Sequence, residues 1–195
     1  MDKLLIATTN PGKLTEIIGI LDGVQIELVT LNDCNGITEP EETGTTFAEN
    51  ARLKARYYSK ATSLVSVADD SGLEIDQLDH APGVHSARWY GTDYSTKFRK
   101  IQELFRERGV SRSRARFVCC VAVADGDAII FEAAGTVEGE IASEPRGSNG
   151  FGYDPIFYYP PSGCTLAELD STRKASVSHR GKAFRALREY LMTTG

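Results

Sequence analysis

The alternation of short apolar runs with amphipathic segments in the opening part of the chain narrows most what it can fold into. Lys3-Leu4-Leu5-Ile6-Ala7, Gln25 to Thr30 and Leu64 to Ala68 read as strands. Helical patterns occupy the two intervals. The first is an amphipathic run from Leu14 to Leu21, with Asn10 suited to the N-cap and Pro11 to the first helical position. The second opens on Thr46-x-x-Glu49, a capping box, and runs to about Ala61. A β-α-β-α-β order of this kind predicts an α/β fold.

The middle of the chain obeys a different rhythm. Leu73 to Leu78 alternates, then Ala81 to Trp89 forms a Gly/Pro loop, and a helix is expected over about Thr96 to Arg108 with Phe98, Ile101, Leu104 and Phe105 as its apolar stripe. Phe117 to Ala124, the turn Asp125-Gly126-Asp127 and Ala128 to Ala133 predict a β-hairpin, and Gly135 to Ile141 a further strand. Antiparallel pairing here and parallel pairing before it require a mixed sheet. No repeat or linker interrupts the chain, so 1–195 is expected to be a single domain.

Composition excludes several classes. With 195 residues, 41% hydrophobic and 25% charged, the chain can bury a sizeable core. Its net charge of -5 argues against a nucleic-acid or membrane partner, so an anionic ligand must be held by local basic groups. No apolar run reaches membrane-spanning length and no signal peptide is recognisable, which makes the cytoplasm the expected location. Cys34, Cys119, Cys120 and Cys164 form no C-x-x-C pair, so structural thiols are expected.

Several stretches carry chemistry. Ala68-Asp69-Asp70-Ser71-Gly72 places two carboxylates between two β-type runs, where a strand is expected to end and the chain to turn. Adjacent acids on a strand point to opposite faces, and at most one is expected to enter a core. Such a carboxylate can ligate Mg²⁺, take a proton from an attacking water, or simply cap a polar turn. Thr8-Thr9-Asn10-Pro11-Gly12-Lys13 joins a strand to a helix start and offers amides and an ammonium to an anion, though it lacks the Gly and Ser/Thr of a Walker A loop. The loop from Asn32 to Gly44 carries Glu39, Glu41 and Glu42, either solvated or lending a carboxylate to a metal held by Asp70. Gly147 to Pro155 sets three glycines around Phe151 and Tyr153, leaving a ring to stack on a ligand or to plug a core. Lys174 precedes Ser178-His179-Arg180-Gly181, where Ser178 suits an N-cap and the last helix buries Ala183, Phe184, Leu187 and Leu191.

With these residues assembled, the chain resembles the inosine triphosphate pyrophosphatase family along essentially its whole length. The resemblance rests on Thr8 to Lys13, Glu41-Glu42-Thr43-Gly44, Ala68 to Leu73, Gly150 to Pro155 and Ser178 to Gly181, in that order. It implies a long central mixed sheet carrying two α/β lobes with a nucleotide cleft between them, and a homodimer. It also implies Mg²⁺-dependent hydrolysis of ITP, dITP and XTP to the monophosphate and pyrophosphate, an activity that cleanses the nucleotide pool. Carried over residue by residue, Asp70 becomes the general base or metal carboxylate, with Glu42 or Glu41 as its partner on the metal. Thr8, Thr9, Asn10, Pro11, Gly12, Lys13, Lys54 and Lys174 become triphosphate holders, with Ser71 nearby. Phe151 would stack on the base, flanked by Gly152 and Tyr153, while Asp154, His179 and Arg180 would read its edge. Two other readings are weighed against this one: a septum-formation type pyrophosphatase acting on pyrimidine or modified nucleotides, and a nucleotide-binding module without turnover. Ser178-His179-Arg180 argues against the first and the carboxylate at Asp70 against the second.

Overall fold

The computed structural model describes residues 2–34 and 36–194; Asn35, inside the expected acidic loop, lies outside the described residues, as do Met1 and Gly195. The chain runs β1 (Lys3–Ile6), α1 (Pro11–Ile20), β2 (Glu27–Thr30), α2 (Phe47–Thr62), β3 (Ser66–Ile75), α3 (Tyr94–Glu107), β4 (Arg114–Asp125), β5 (Ala128–Ile141), β6 (Phe157–Tyr159), β7 (Cys164–Thr165), α4 (Ser171–Val177) and α5 (His179–Thr194). The strands form a seven-stranded sheet in the order β2-β1-β3-β4-β5-β6-β7. β1 pairs in parallel with β2 and β3, whereas β5–β6 and β6–β7 are antiparallel, so the sheet is mixed as expected.

Local signals placed the early elements well. The Asn10 side chain accepts from the Lys13 amide and Pro11 opens α1, while Thr46 and Glu49 close the capping box of α2. Two expectations give way to longer strands. The turn anticipated at Asp69 to Gly72 is the middle of ten-residue β3, and the two strands anticipated over 128–141 are one strand, β5. Gly135 does not break β5, because it is there to admit a neighbour. A Cβ at Gly135 would collide with the carbonyl oxygen of His179 and come within 2.8 Å of the Ala183 amide nitrogen. Helix α5 therefore lies directly on bare strand backbone.

The chain divides into two compact units, one of Met1–Asp70, Cys119–Gly135 and His179–Gly195, the other of Ser71–Val118 and Thr136–Ser178. In the first unit, period-2 alternation sends side chains to two separate cores. Leu4, Ile6, Val67, Cys119, Val121 and Val123 meet α1 and α5, through Ile17, Leu21, Phe184, Leu187 and Leu191. Leu5, Ala7, Ala68, Ala122 and Ala124 face α2, through Ala51, Ala55 and Tyr58. The expected stripe of α5 is fully buried, each large member contributing about 1.5–3 kcal/mol. Cys119 and Cys120 alternate between these faces, and all four cysteines are free thiols.

The second unit has its own core, in which Leu73 and Ile75 of β3, Ile101 and Phe105 of α3, and Phe117, Val137, Phe157 and Leu166 are buried together. Helix α3 starts at Tyr94, earlier than expected, because Asp93 caps it by accepting from the amides of Ser95 and Thr96. Among the described residues no helix is long and apolar enough to cross a membrane.

Candidate active site

Since β3 continues through the acidic pair, Asp69 and Asp70 point to opposite faces, following Val67 and Ala68 respectively. Both are nonetheless buried, at 3% and 6% exposure, against the expectation that only one would enter a core. The reason is that each face supplies its own cation.

On the α1/α5 face, the Lys13 ammonium lies 2.9 Å from Asp69 Oδ2, and Arg180 donates from Nη2 to the same oxygen at 3.3 Å. Cys119 Sγ stands 3.7 Å away, and Oδ1 of Asp69 is buried with no hydrogen-bond partner. Burial by itself would raise the Asp69 pKa, but the charges of Lys13, Arg180 and Lys54 outweigh it and hold the carboxyl well below the usual range. Arg180 also donates from Nη1 to Glu16 of α1 at 2.7 Å, so its guanidinium ties the start of α5 to both α1 and β3.

On the α2 face, Asp70 Oδ2 accepts from Asn50 Nδ2 at 3.1 Å, and its Oδ1 is 3.3 Å from the Lys54 ammonium. Asn50 spends its carbonyl oxygen on the Gly44 amide at 2.8 Å, which fixes which way its own amide points. Gly44 has no room for a side chain there, since a Cβ would sit 2.6 Å from that oxygen. Lys54 reaches Glu42 Oε1 at 2.7 Å. Burial is the largest influence on Asp70 and raises its pKa; Lys54 and Lys13 pull it down, Glu42 pushes it up, and the net shift is upward. Lys54 shifts upward too, because Asp70, Asp69 and Glu42 overcome its burial.

Among the described residues, no three or more His, Cys, Asp and Glu side chains gather as a ready cation cage. What gathers is a pair. Glu42 and Asp70 place oxygens around one ammonium, and that cationic position suits a hard divalent ion, which often takes one or two carboxylates and completes its shell with water and phosphate. Glu41, next to Glu42 in the chain, is exposed. Thr8 to Lys13 lies at the β1–α1 junction as expected, with Thr8 Oγ1 accepting from the Asn10 amide and Thr9 bonded to Glu39. Ser71 follows Asp70 on β3 and is half-buried.

The second unit holds another cluster. The Lys174 ammonium, on α4, is 2.5 Å from Asp154 Oδ2 and 4.9 Å from the centroid of the half-buried Phe151 ring. The Phe151 amide donates to the same Asp154 oxygen at 2.8 Å. Gly150, at φ +71°, lets the backbone pass this close; a Cβ there would strike the Asp154 carboxylate. The close approach that the glycines were expected to give a ligand is thus used first by the protein's own ion pair. Within the second unit Lys174 thus meets both Asp154 and Phe151. Tyr153 is 3% exposed, packs edge-on to Tyr94 at 5.1 Å and donates to Ser86 O, so its side chain supports the loop from inside. Gly152, at φ +69°, lies beside Tyr94.

Sequence reasoning missed Asp69 as a charged hub, Asn50 and Glu16. Their signal was positional: Asn50 sits four residues before Lys54, one helical turn away on the same face of α2.

A mixed α/β sheet whose strand β3 carries two buried carboxylates, each met by a lysine, is the frame of the candidate site. The chain belongs to the Ham1 family, whose profile matches residues 4–190. It is 51% identical over 186 residues to a dITP/XTP pyrophosphatase of Nostoc sp., covering 94% of this chain and 91% of that one. It is 46% identical over 185 residues to a dITP/XTP pyrophosphatase of Exiguobacterium sp., covering 95% and 94%. Among solved structures it is similar to a HAM1 protein from Coxiella burnetii, with a TM-score of 0.91, 40% identity and 100% of both chains covered.

Proposed function

We propose that this chain hydrolyses non-canonical purine nucleoside triphosphates (ITP, dITP and XTP) to the monophosphate and pyrophosphate. The observation that carries the chemistry is Asp70, a buried carboxylate whose pKa is raised while its neighbour Asp69 is held ionised. Two acids pushed apart by their surroundings divide the labour: one accepts a proton, the other fixes charge. Asp70 takes a proton from a water that attacks the α-phosphorus; the new P–O bond forms as the bridging bond to the β-phosphate breaks, and pyrophosphate leaves.

Mg²⁺ is the cation we assign to Glu42 and Asp70; when bound it would neutralise charge developing on the phosphate oxygens. A triphosphate brings about four negative charges, which this acidic protein must match locally. Lys13 and Lys54 are the matching groups in the first unit, together with Thr8 to Gly12 at the positive end of α1. Phe151 offers the stacking ring in the second. Lys174 is proposed to serve the base rather than the phosphates, since its ammonium lies over that ring. Asp154 acts by holding Lys174 and the Phe151 amide. His179 and Arg180 remain proposed edge readers, with Arg180 first committed to Asp69 and Glu16.

Selectivity follows from donor placement. Hypoxanthine presents an acceptor at O6 where adenine presents a donor, so a site of N–H donors leaves buried groups unpaired against adenine, at a cost of several kcal/mol. The homodimer is proposed on the strength of the family resemblance, and the cytoplasm is the location expected from the sequence. Anion-exchange analysis of products from ITP, XTP, ATP and GTP with Mg²⁺ tests the assignment. Monophosphate and pyrophosphate from ITP and XTP are expected, and stoichiometric diphosphate and orthophosphate would overturn it.

A further inference from the structure

Among the described residues, Lys97 is a buried cation that the proposed chemistry does not use, and unlike Arg180 and Lys174 it is paired with no carboxylate. It occupies the apolar stripe of α3, four and eight residues before Ile101 and Phe105, and is 0% exposed. Its ammonium donates to Ser86 O at 2.9 Å and to Ala87 O at 2.7 Å, and lies 4.2 Å from the Tyr94 ring centroid and 5.5 Å from that of Tyr153. Among the described residues no ion pair engages it, and burial lowers its pKa. A buried ammonium balanced only by carbonyls and ring faces is a poor way to fill a core; an unbranched apolar side chain of the same length would fit with less desolvation. Residues that break the rules of core composition mark functional constraint more often than packing need.

The constraint can be traced. Ser86 is pinned on every side: its hydroxyl donates to Gly83 O and accepts from the Leu73 amide, and its carbonyl receives both Lys97 and the Tyr153 hydroxyl, the latter at 3.1 Å. Tyr153 adjoins Asp154, the carboxylate that holds the Phe151 amide and Lys174. One ammonium thus ties the loop over 82–89 and the loop over 147–155 to the same helix.

We propose that Lys97 is a positioning residue for recognition of the substrate's base: it sets the Phe151–Asp154–Lys174 cluster without touching the nucleotide. The inference rests on the assignment of that cluster to the base, so its test has one arm that is independent of turnover. Lys97→Met removes the donors and keeps the bulk, while Tyr153→Phe removes only the hydroxyl and keeps the fold should the first variant fail to accumulate. Amide hydrogen exchange at Phe151 is expected to quicken in Lys97→Met with the melting temperature held or raised, and less so in Tyr153→Phe. In steady-state assays with ITP, KM is expected to rise roughly tenfold to a hundredfold in Lys97→Met with kcat changing far less, as small misplacements of binding groups do. Unchanged exchange at Phe151 would overturn the positioning role. Quickened exchange with unchanged KM, or a fall in melting temperature with kcat and KM worsening together, would reduce Lys97 to a structural residue. If the wild type failed to turn over ITP, the functional assignment would fall, and the exchange arm would still decide whether Lys97 holds the loop.

Discussion

Asp69 and Asp70 are neighbours in sequence, share a strand and are almost equally buried, yet their carboxyl groups are driven in opposite directions. Asp69 faces α1 and α5 and is answered by two full cations, Lys13 and Arg180, which overcome its desolvation. Asp70 faces α2, shares one lysine with Glu42 and is left with burial as the larger influence. Burial alone therefore does not make a base; the ratio of cations to carboxylates around the buried acid does. One β-strand can thus insulate two electrostatic regimes, because its alternation assigns each residue to a different helix face.

The most damaging change should be Asp70→Asn, which keeps shape and loses basicity. Turnover of ITP should fall about 10²- to 10⁴-fold. The wild-type kcat/KM should decline as pH drops through the Asp70 pKa, which lies above the ordinary aspartate value of about 3.9. The sign matters for stability as well. A carboxyl whose folded pKa is raised favours the fold at low pH and loses that contribution as pH rises, so Asp70→Asn should melt no lower than wild type at pH 8. A variant active within a few-fold of wild type would erase the contrast.

Asp69→Asn should do the reverse. It removes the carboxylate that answers buried Arg180 and half-buried Lys13, and breaking a buried pair typically costs about 3–5 kcal/mol, seen as a fall in melting temperature on the order of 10 °C. The contribution of Asp69 is present above its unfolded pKa and is lost only as pH falls through its depressed folded value. A pH-melting series on both variants reads the two acids apart; equal melting curves for Asp69→Asn and wild type would show that Lys13 and Arg180 do not depend on it. Smallest in effect, and sharpest in detail, is the comparison of Glu42→Gln with Glu41→Gln. The first should raise the Mg²⁺ concentration needed for half-maximal rate about tenfold or more, and the second should leave it near wild type. Equal shifts would show that the loop ligates through both.

Much of this was legible in the sequence because it is local. Helix caps at Asn10 and Thr46, the α5 stripe and the strand-to-helix junction at Thr8 to Lys13 depend on residues a few positions apart. The reading failed where distant residues cancel a local penalty. Asp69-Asp70-Ser71-Gly72 has turn composition, and only Lys13, Lys54 and Arg180, far away in the chain, make it a buried strand. The hold of Ser86 and Tyr94 on Tyr153 comes from residues 67 and 59 positions away, which no local pattern announces. Lys97 was invisible for the same reason: a lysine in a helix reads as surface unless one notices that it is in phase with Ile101 and Phe105.

Gly135 carries a consequence for anyone mapping function by tolerance to substitution. Its only side chain is a hydrogen because the His179 carbonyl occupies the space where any other would begin. An exhaustive mutational screen would therefore score this position among the least forgiving in the chain, although it has no side chain to donate, titrate or touch a reacting atom. Its intolerance records the thickness of a seam, and a ranking by damage alone would misfile it beside Asp70.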